Sequence, residues 1–261
     1  MPDSGPAQKT DRPDRRRHPV WLYMVPVAVP GVLMLIYLIS PRFYLDYILY
    51  TRHRETQVVE IVTVGAALAA GALLLWQGWV LARRQKGPLR GRGRGRGGAA
   101  IIGLIGLATL FFAGEEMSWG QSYFRWETPE PYRELSGETN LHNTDLPVNS
   151  LGSVFLVVMF FVLPLMWTLR WPRPLPGSLP GWRPAIAEAP VIFCMACGFA
   201  WKEVKTLYRW VNPDFEDIQI YHDFFEQLNE HKELLVAVAL LMYAVYRIKA
   251  VRADSVGATA L

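Results

Sequence analysis

Residues 99–121 read AAIIGLIGLATLFFAGEEMSWGQ. Up to Gly114 the stretch carries no charge, no proline and no period-two alternation. It reads as a helix that is apolar on every side, as a membrane-buried helix must be. It then sets Glu115 and Glu116 side by side. A charge at the centre of a bilayer costs about 2.5–3.5 kcal/mol on insertion scales and less near the ends. The acids therefore mark where a spanning helix leaves the hydrocarbon. Being adjacent, they point about 100° apart around the helix axis and cannot both face one patch of solvent.

Five further apolar runs lie on either side, at 20–40, 58–82, 148–169, 185–201 and 233–246. Roughly 20 apolar residues span a bilayer core. The chain is thus predicted to be all-α, an integral membrane bundle of about six transmembrane helices. The third, fifth and sixth runs need neighbouring polar residues to reach full length. The first run is too long for a signal-peptide core and is read as a retained helix, with a kink expected at Pro26 and Pro30. No internal repeat is visible, so inverted-repeat transporter architecture has no support.

Orientation follows from the basic residues. Alternate polar segments (the N-terminal tail, 83–98, 170–184 and the C-terminal tail) hold 18 of the 27 Lys and Arg residues and four of the 23 acids. Both termini are predicted to be cytoplasmic, with 41–57, 114–147 and 202–232 outside. The domain reading is a disordered basic tail at 1–19, a six-helix transmembrane domain at 20–250 and a cytoplasmic tail at 251–261. The expected location is the cell inner membrane. GRGRGRGG (91–98) reads as a flexible cytoplasmic loop whose charge fixes topology. The net charge of +4 has the same origin, so no nucleic-acid partner is expected. Cys194 and Cys197 form CMAC inside an apolar run, without a second pair or the flanks of a redox motif, and read as small packing residues.

The external segments collect the candidate chemistry. After Glu116 come Trp119, Tyr123, Phe124, Trp126 and Tyr132, suited to an amphipathic segment lying among headgroups between the third and fourth helices. ETNLHN (138–143) brings Asn140, His142 and Asn143. The last run is entered through DFEDIQIYHDFFEQLNEHKELL with no Pro or Gly break, which predicts one helix from about 214 to 248. On it His222, Glu226, Glu230 and Glu233 form a stripe about 80° wide, with His231 on the opposite side. Such a stripe repels itself unless it meets cations, a metal or water in a cleft. His53, with Tyr50, Arg52, Arg54 and Glu55, belongs to the same side, where an arginine could pair with the acids or an anionic headgroup. Imidazole and carboxylate together are the usual ligands of zinc and similar ions. No HExxH or other fixed ligand spacing is present.

GEEMSWGQ (114–121), WETPE (126–130) and ETNLHN (138–143), in that order after an apolar run, are similar to blocks of a family of bacterial polytopic membrane proteins of unknown function. The close match covers about 30 residues, and the resemblance brings no activity with it. The architecture is also similar in class to the alkaline ceramidase superfamily, but the ligand pattern departs from it. Ser122, not His, follows Ser118 by four residues, and Glu226, not His, follows His222 by four.

The expectation is an external-leaflet cleft lined by Glu115, Glu116, His142, His222, Glu226 and Glu230, acting on a lipid or lipid-linked substrate, with membrane lipids as partners. Metal-assisted hydrolysis or group transfer would use Glu115, Glu116, His142 and Glu226 as catalytic groups. His142, His222, Glu226 and Glu230 would hold a divalent metal such as zinc. The alternatives are a transporter or ion-binding protein, or an accessory subunit of a membrane complex.

Overall fold

The computed structural model describes residues 18–44, 48, 58–84, 96–124, 126–130, 148–169, 186–211 and 219–257. Six long helices account for most of them. They are α1 (Trp21–Ile39), α2 (Val58–Arg84), α3 (Arg96–Glu116), α4, α5 (Ala189–Val211) and α6 (Gln219–Gly257). Helix α4 runs through Val148–Val157, Val158–Val162 and Leu163–Leu169, the middle stretch being a π-helical turn. Pro164 follows closely. Its ring would collide with the carbonyl four residues back, at Phe160, and the widened turn there relieves that clash. The helical assignment of α1 continues through Pro26 and Pro30. No strand occurs among the described residues.

Three helices, α1, α2 over Val58–Arg83 and α3 over Gly97–Glu116, are long and apolar enough to cross a membrane. Helices α4 and α5 carry the shorter apolar stretches Leu151–Met166 and Ala189–Trp201. Large apolar side chains stand exposed along α2 (Ile61, Leu68, Trp76, Trp79), α3 (Leu104, Leu107, Phe111) and α4 (Leu151, Val154, Leu165). In water a surface of that extent would drive aggregation, whereas in lipid it is the solvated face. The chain is a membrane protein.

Helix α6 occupies the centre. Leu235, Val236, Ala239, Leu240, Tyr243 and Ala244 are buried, in one cluster with Ala70 and Leu74 of α2, Ile102 and Ile105 of α3, Phe160 of α4, and Val191, Cys194 and Met195 of α5. Burying such groups gains little over lipid tails, so cohesion rests on close contact and internal hydrogen bonds. Gln77, fully buried on α2, donates from Nε2 to the Ala244 carbonyl at 2.8 Å. Thr63 and Thr109 donate back to the carbonyls of Val59 and Ile105 at 2.9 and 2.7 Å, which satisfies their hydroxyls inside apolar helices. Both cysteines are free, and the Cys194 thiol lies 3.5 Å from the Leu235 carbonyl, in keeping with a packing role.

Helices α2 and α3 approach until backbone meets backbone. A Cβ added at Gly106 would lie 2.9 Å from the Leu75 nitrogen and 3.1 Å from the Gly71 oxygen. Gly106→Val is expected to lower stability by about 1–3 kcal/mol, read as thermal melting in detergent. Gly103→Ala, whose methyl meets nothing within 4 Å, should melt like the parent.

The helices alternate in direction. At one end His18 Nε2 lies 3.5 Å from Glu188 Oε2, and the His18 ring stands edge-on to Tyr246 at 5.4 Å. At the other end Tyr44, which follows α1, meets His231 of α6, while α2 begins near Glu60 and α3 stops at Glu116. Residues 18 and 246 thus share one end. Helix α6 has 39 residues, about 58 Å at 1.5 Å per residue, far more than a hydrocarbon core of about 30 Å. Its described part runs from Gln219 past residue 250 to Gly257. Residues 214–218 are outside the described residues.

Candidate functional site

The two adjacent acids serve different purposes. Glu115, 3% exposed, is bound into a turn that follows α3. Ser118, Trp119 and Gly120 take φ of 43°, 54° and 83°, three successive residues in the left-handed region. For Ser and Trp that conformation costs about 1–2 kcal/mol each. The compensation comes from Trp119, which folds back over the helix end. Its Nε1–H donates to Glu115 Oε1 at 2.7 Å, and its ring stands edge-on to Phe111 at 5.5 Å. Gly114 leaves room for the indole, since a Cβ there would come within 2.8 Å of the ring. GEEMSWG is therefore a self-bracing turn. The WETPE block folds onto it, with Gln121 Nε2 donating to the Thr128 hydroxyl and Phe124 stacked on Trp126. Glu115→Ala is expected to lose about 1–3 kcal/mol. Glu115→Gln keeps an acceptor for the indole and should lose less. Melting both variants beside the parent checks this.

Glu116 points elsewhere. Its side chain faces Glu233 of α6 across the same cavity, with Glu230 and Glu60 also near. Lys232 Nζ is 3.5 Å from Glu233 Oε1. Glu116 and Glu233 thus bring two carboxyl groups together across the junction of α3 and α6.

That junction is the mouth of a cleft of about 470 Å³ between α3, α4, α5 and α6. The mouth carries Glu115, Glu116, Ser153, Lys232 and Glu233. The depth is apolar, with Ile105, Phe112, Phe155, Leu156, Val236 and Leu240. The volume falls within the range of small-molecule pockets, about 300–1,000 Å³. The apolar depth and the few convergent polar groups are those of an amphiphile site.

Beside the cleft, His231 is 3% exposed. Its Nε2 and the Tyr44 hydroxyl are 2.7 Å apart, and Trp201 stands edge-on to its ring. Nδ1 is buried without a hydrogen-bond partner. Burial pushes the imidazole down to about 4, so it is neutral at ordinary pH. Burial and the nearby Glu230 raise the Tyr44 phenol.

Of the sequence candidates, Glu115, Glu116 and Glu230 are described, and the first two line the cleft. His142 is outside the described residues, as are Tyr50, Arg52, His53, Arg54 and Glu55. Residues 222 and 226 belong to α6, two turns and one turn before Glu230, but their side chains are outside the described set. Among the described residues no group of three or more His, Cys, Asp or Glu could hold a metal ion. Sequence reasoning missed Lys232 and Tyr44 and set His231 aside. A lysine beside the acid stripe at the foot of an apolar run was the available signal. Compared with protein-family models, curated proteins and solved structures, the chain matches none of them.

Proposed function

We propose that this is a multi-pass membrane protein that takes a lipid or lipid-linked molecule into the cleft between α3 and α6, headgroup at the carboxyl pair and chain in the apolar depth. The observation that carries this reading is the division of one cavity into a carboxyl-edged mouth and an apolar interior, in a chain whose outer surface suits lipid. The carboxyl end faces the exterior and both termini the cytoplasm, on the distribution of basic residues. The inner membrane of a bacterial cell is the compartment.

The Glu116–Glu233 pair suits acid–base work on a bond near the headgroup, one carboxyl giving a proton and the other taking one, as hydrolysis or group transfer requires. Metal assistance, in this proposal, would come from His142, His222, Glu226 and Glu230. The test is to purify the protein from its own membranes and identify the retained lipid by mass spectrometry. A Cβ at Gly152, on the cleft wall, meets nothing within 4 Å, so Gly152→Trp can enter the cavity without splitting helices. A defined lipid held by the parent and lost from Gly152→Trp is expected. Retained lipid that mirrors the bulk membrane in both would contradict the reading. Elemental analysis of the same sample decides the metal, with stoichiometric zinc supporting it and metal-free protein removing it.

A further inference from the structure

From the charges at the mouth we infer that the occupant of the cleft is an amine-bearing amphiphile, a single hydrocarbon chain ending in an ammonium group that settles between Glu116 and Glu233. This rests on the amphiphile reading above and adds the chemical class.

The shape selects the chain. The lining residues of α3 run from Ile105 to Glu116, about 16 Å of helix. Val236 and Leu240 of α6 line the same cavity beyond Glu233. The space is therefore elongated along the helices and joins its polar end at one place, which suits a linear chain better than a compact ring system.

The charges select the head. The mouth holds three carboxyl groups, and Lys232, the one cation among the described lining residues, is already engaged with Glu233. Glu115 is engaged with the Trp119 indole. Glu60 of α2 and Glu230 of α6 add negative field behind Glu116. An anionic head placed here would meet like charge from α2, α3 and α6 at once, in a site partly screened from water. An ammonium group brings three donors and a positive charge. It can donate to Glu116 and Glu233 together. Charge complementarity thus commits the mouth to a cation, and the apolar depth commits it to a cation carrying a chain.

The experiment is photolabelling of the full-length protein in nanodiscs of neutral lipid, using an alkylammonium with a diazirine in its chain. Labelled peptides are mapped, and labelling is competed with dodecylamine, dodecanol and dodecanoate. Label is expected within 105–112 and 151–156, with dodecylamine the best competitor, roughly tenfold or more ahead of dodecanoate. Glu116→Gln and Glu233→Gln should each erode the preference for the amine while leaving competition by dodecanol intact, which shows that the cleft is still formed. If dodecanoate or dodecanol competes as well as dodecylamine, the ammonium assignment is overturned and the amphiphile cleft stands. If the label falls elsewhere, or Gly152→Trp leaves labelling unchanged, both are overturned.

Discussion

Glu116→Gln is expected to stabilise the protein and to strip the cleft of its headgroup selectivity. Glutamine matches glutamate in shape, and its amide N–H can donate to the Glu233 carboxylate. The substitution also removes one acid from a group in which Glu233, Glu230 and Glu60 all lie close to Glu116. Replacing a crowded, partly desolvated charge by a neutral isostere is often neutral or stabilising, by about 1–4 kcal/mol in favourable cases. Glutamine cannot give or take a proton in the working range, and it leaves Glu233 as the one carboxyl group of the pair to meet a cationic head. A rise in melting temperature at neutral pH combined with loss of amine preference is the outcome expected. A fall in stability would mean that the Glu116 charge is itself compensated at the junction of α3 and α6. The trade between stability and function is the usual sign of a site held against its own electrostatic preference.

The second large effect is a loss of stability on acidification that depends on His231. An unfolded histidine takes up its proton near pH 6.5. In the folded protein burial holds the imidazole down to about 4, so the unfolded chain binds the extra proton first. Stability therefore rises with pH across this window and falls as pH drops from about 6.5 to 4. At 1.36 kcal/mol per unit the full loss is about 3 kcal/mol. Among the described residues the groups that face the ring are the Tyr44 hydroxyl and the Trp201 indole, and neither offers a charge to hold an imidazolium. Glu230, which acts on Tyr44, is the neighbouring acid. Melting curves in detergent between pH 7 and pH 5 should fall by several degrees for the parent and stay flatter for His231→Gln. Tyr44→Phe should start lower, by about 1–3 kcal/mol for the unsatisfied ring nitrogen, and keep the slope. A parent curve without pH dependence would show that the ring is wetter than the structure has it.

The six helices were legible because each grows from a run of continuous apolarity, although α5 continues to Val211 and α6 covers Gln219–Gly257, well beyond their runs. The split between Glu115 and Glu116 was legible too, since neighbours 100° apart on a helix must meet different surroundings. What each meets was not legible. The indole that returns to Glu115 depends on three left-handed residues and a glycine that makes room for it, and no helical period encodes that. His231 was hidden for a different reason. A polar stripe marks the inner face only on a helix with one face in and one face out. Helix α6 is central, with Leu228 and His231 buried as well as Leu235 and Ala239, so its far side is also interior.

The claim on which the rest depends is that Glu116 of α3 and Glu233 of α6 meet at one cleft mouth. The direct measurement is crosslinking in native membranes of a protein carrying Glu116→Cys and Glu233→Cys, in a Cys194→Ser, Cys197→Ser background, with a short bifunctional methanethiosulfonate. Tyr44→Cys with His231→Cys, across the 2.7 Å contact between those side chains, is the control pair. The account predicts rapid crosslinking of both pairs and protection of the 116–233 pair by dodecylamine. Crosslinking of the control pair alone would contradict it.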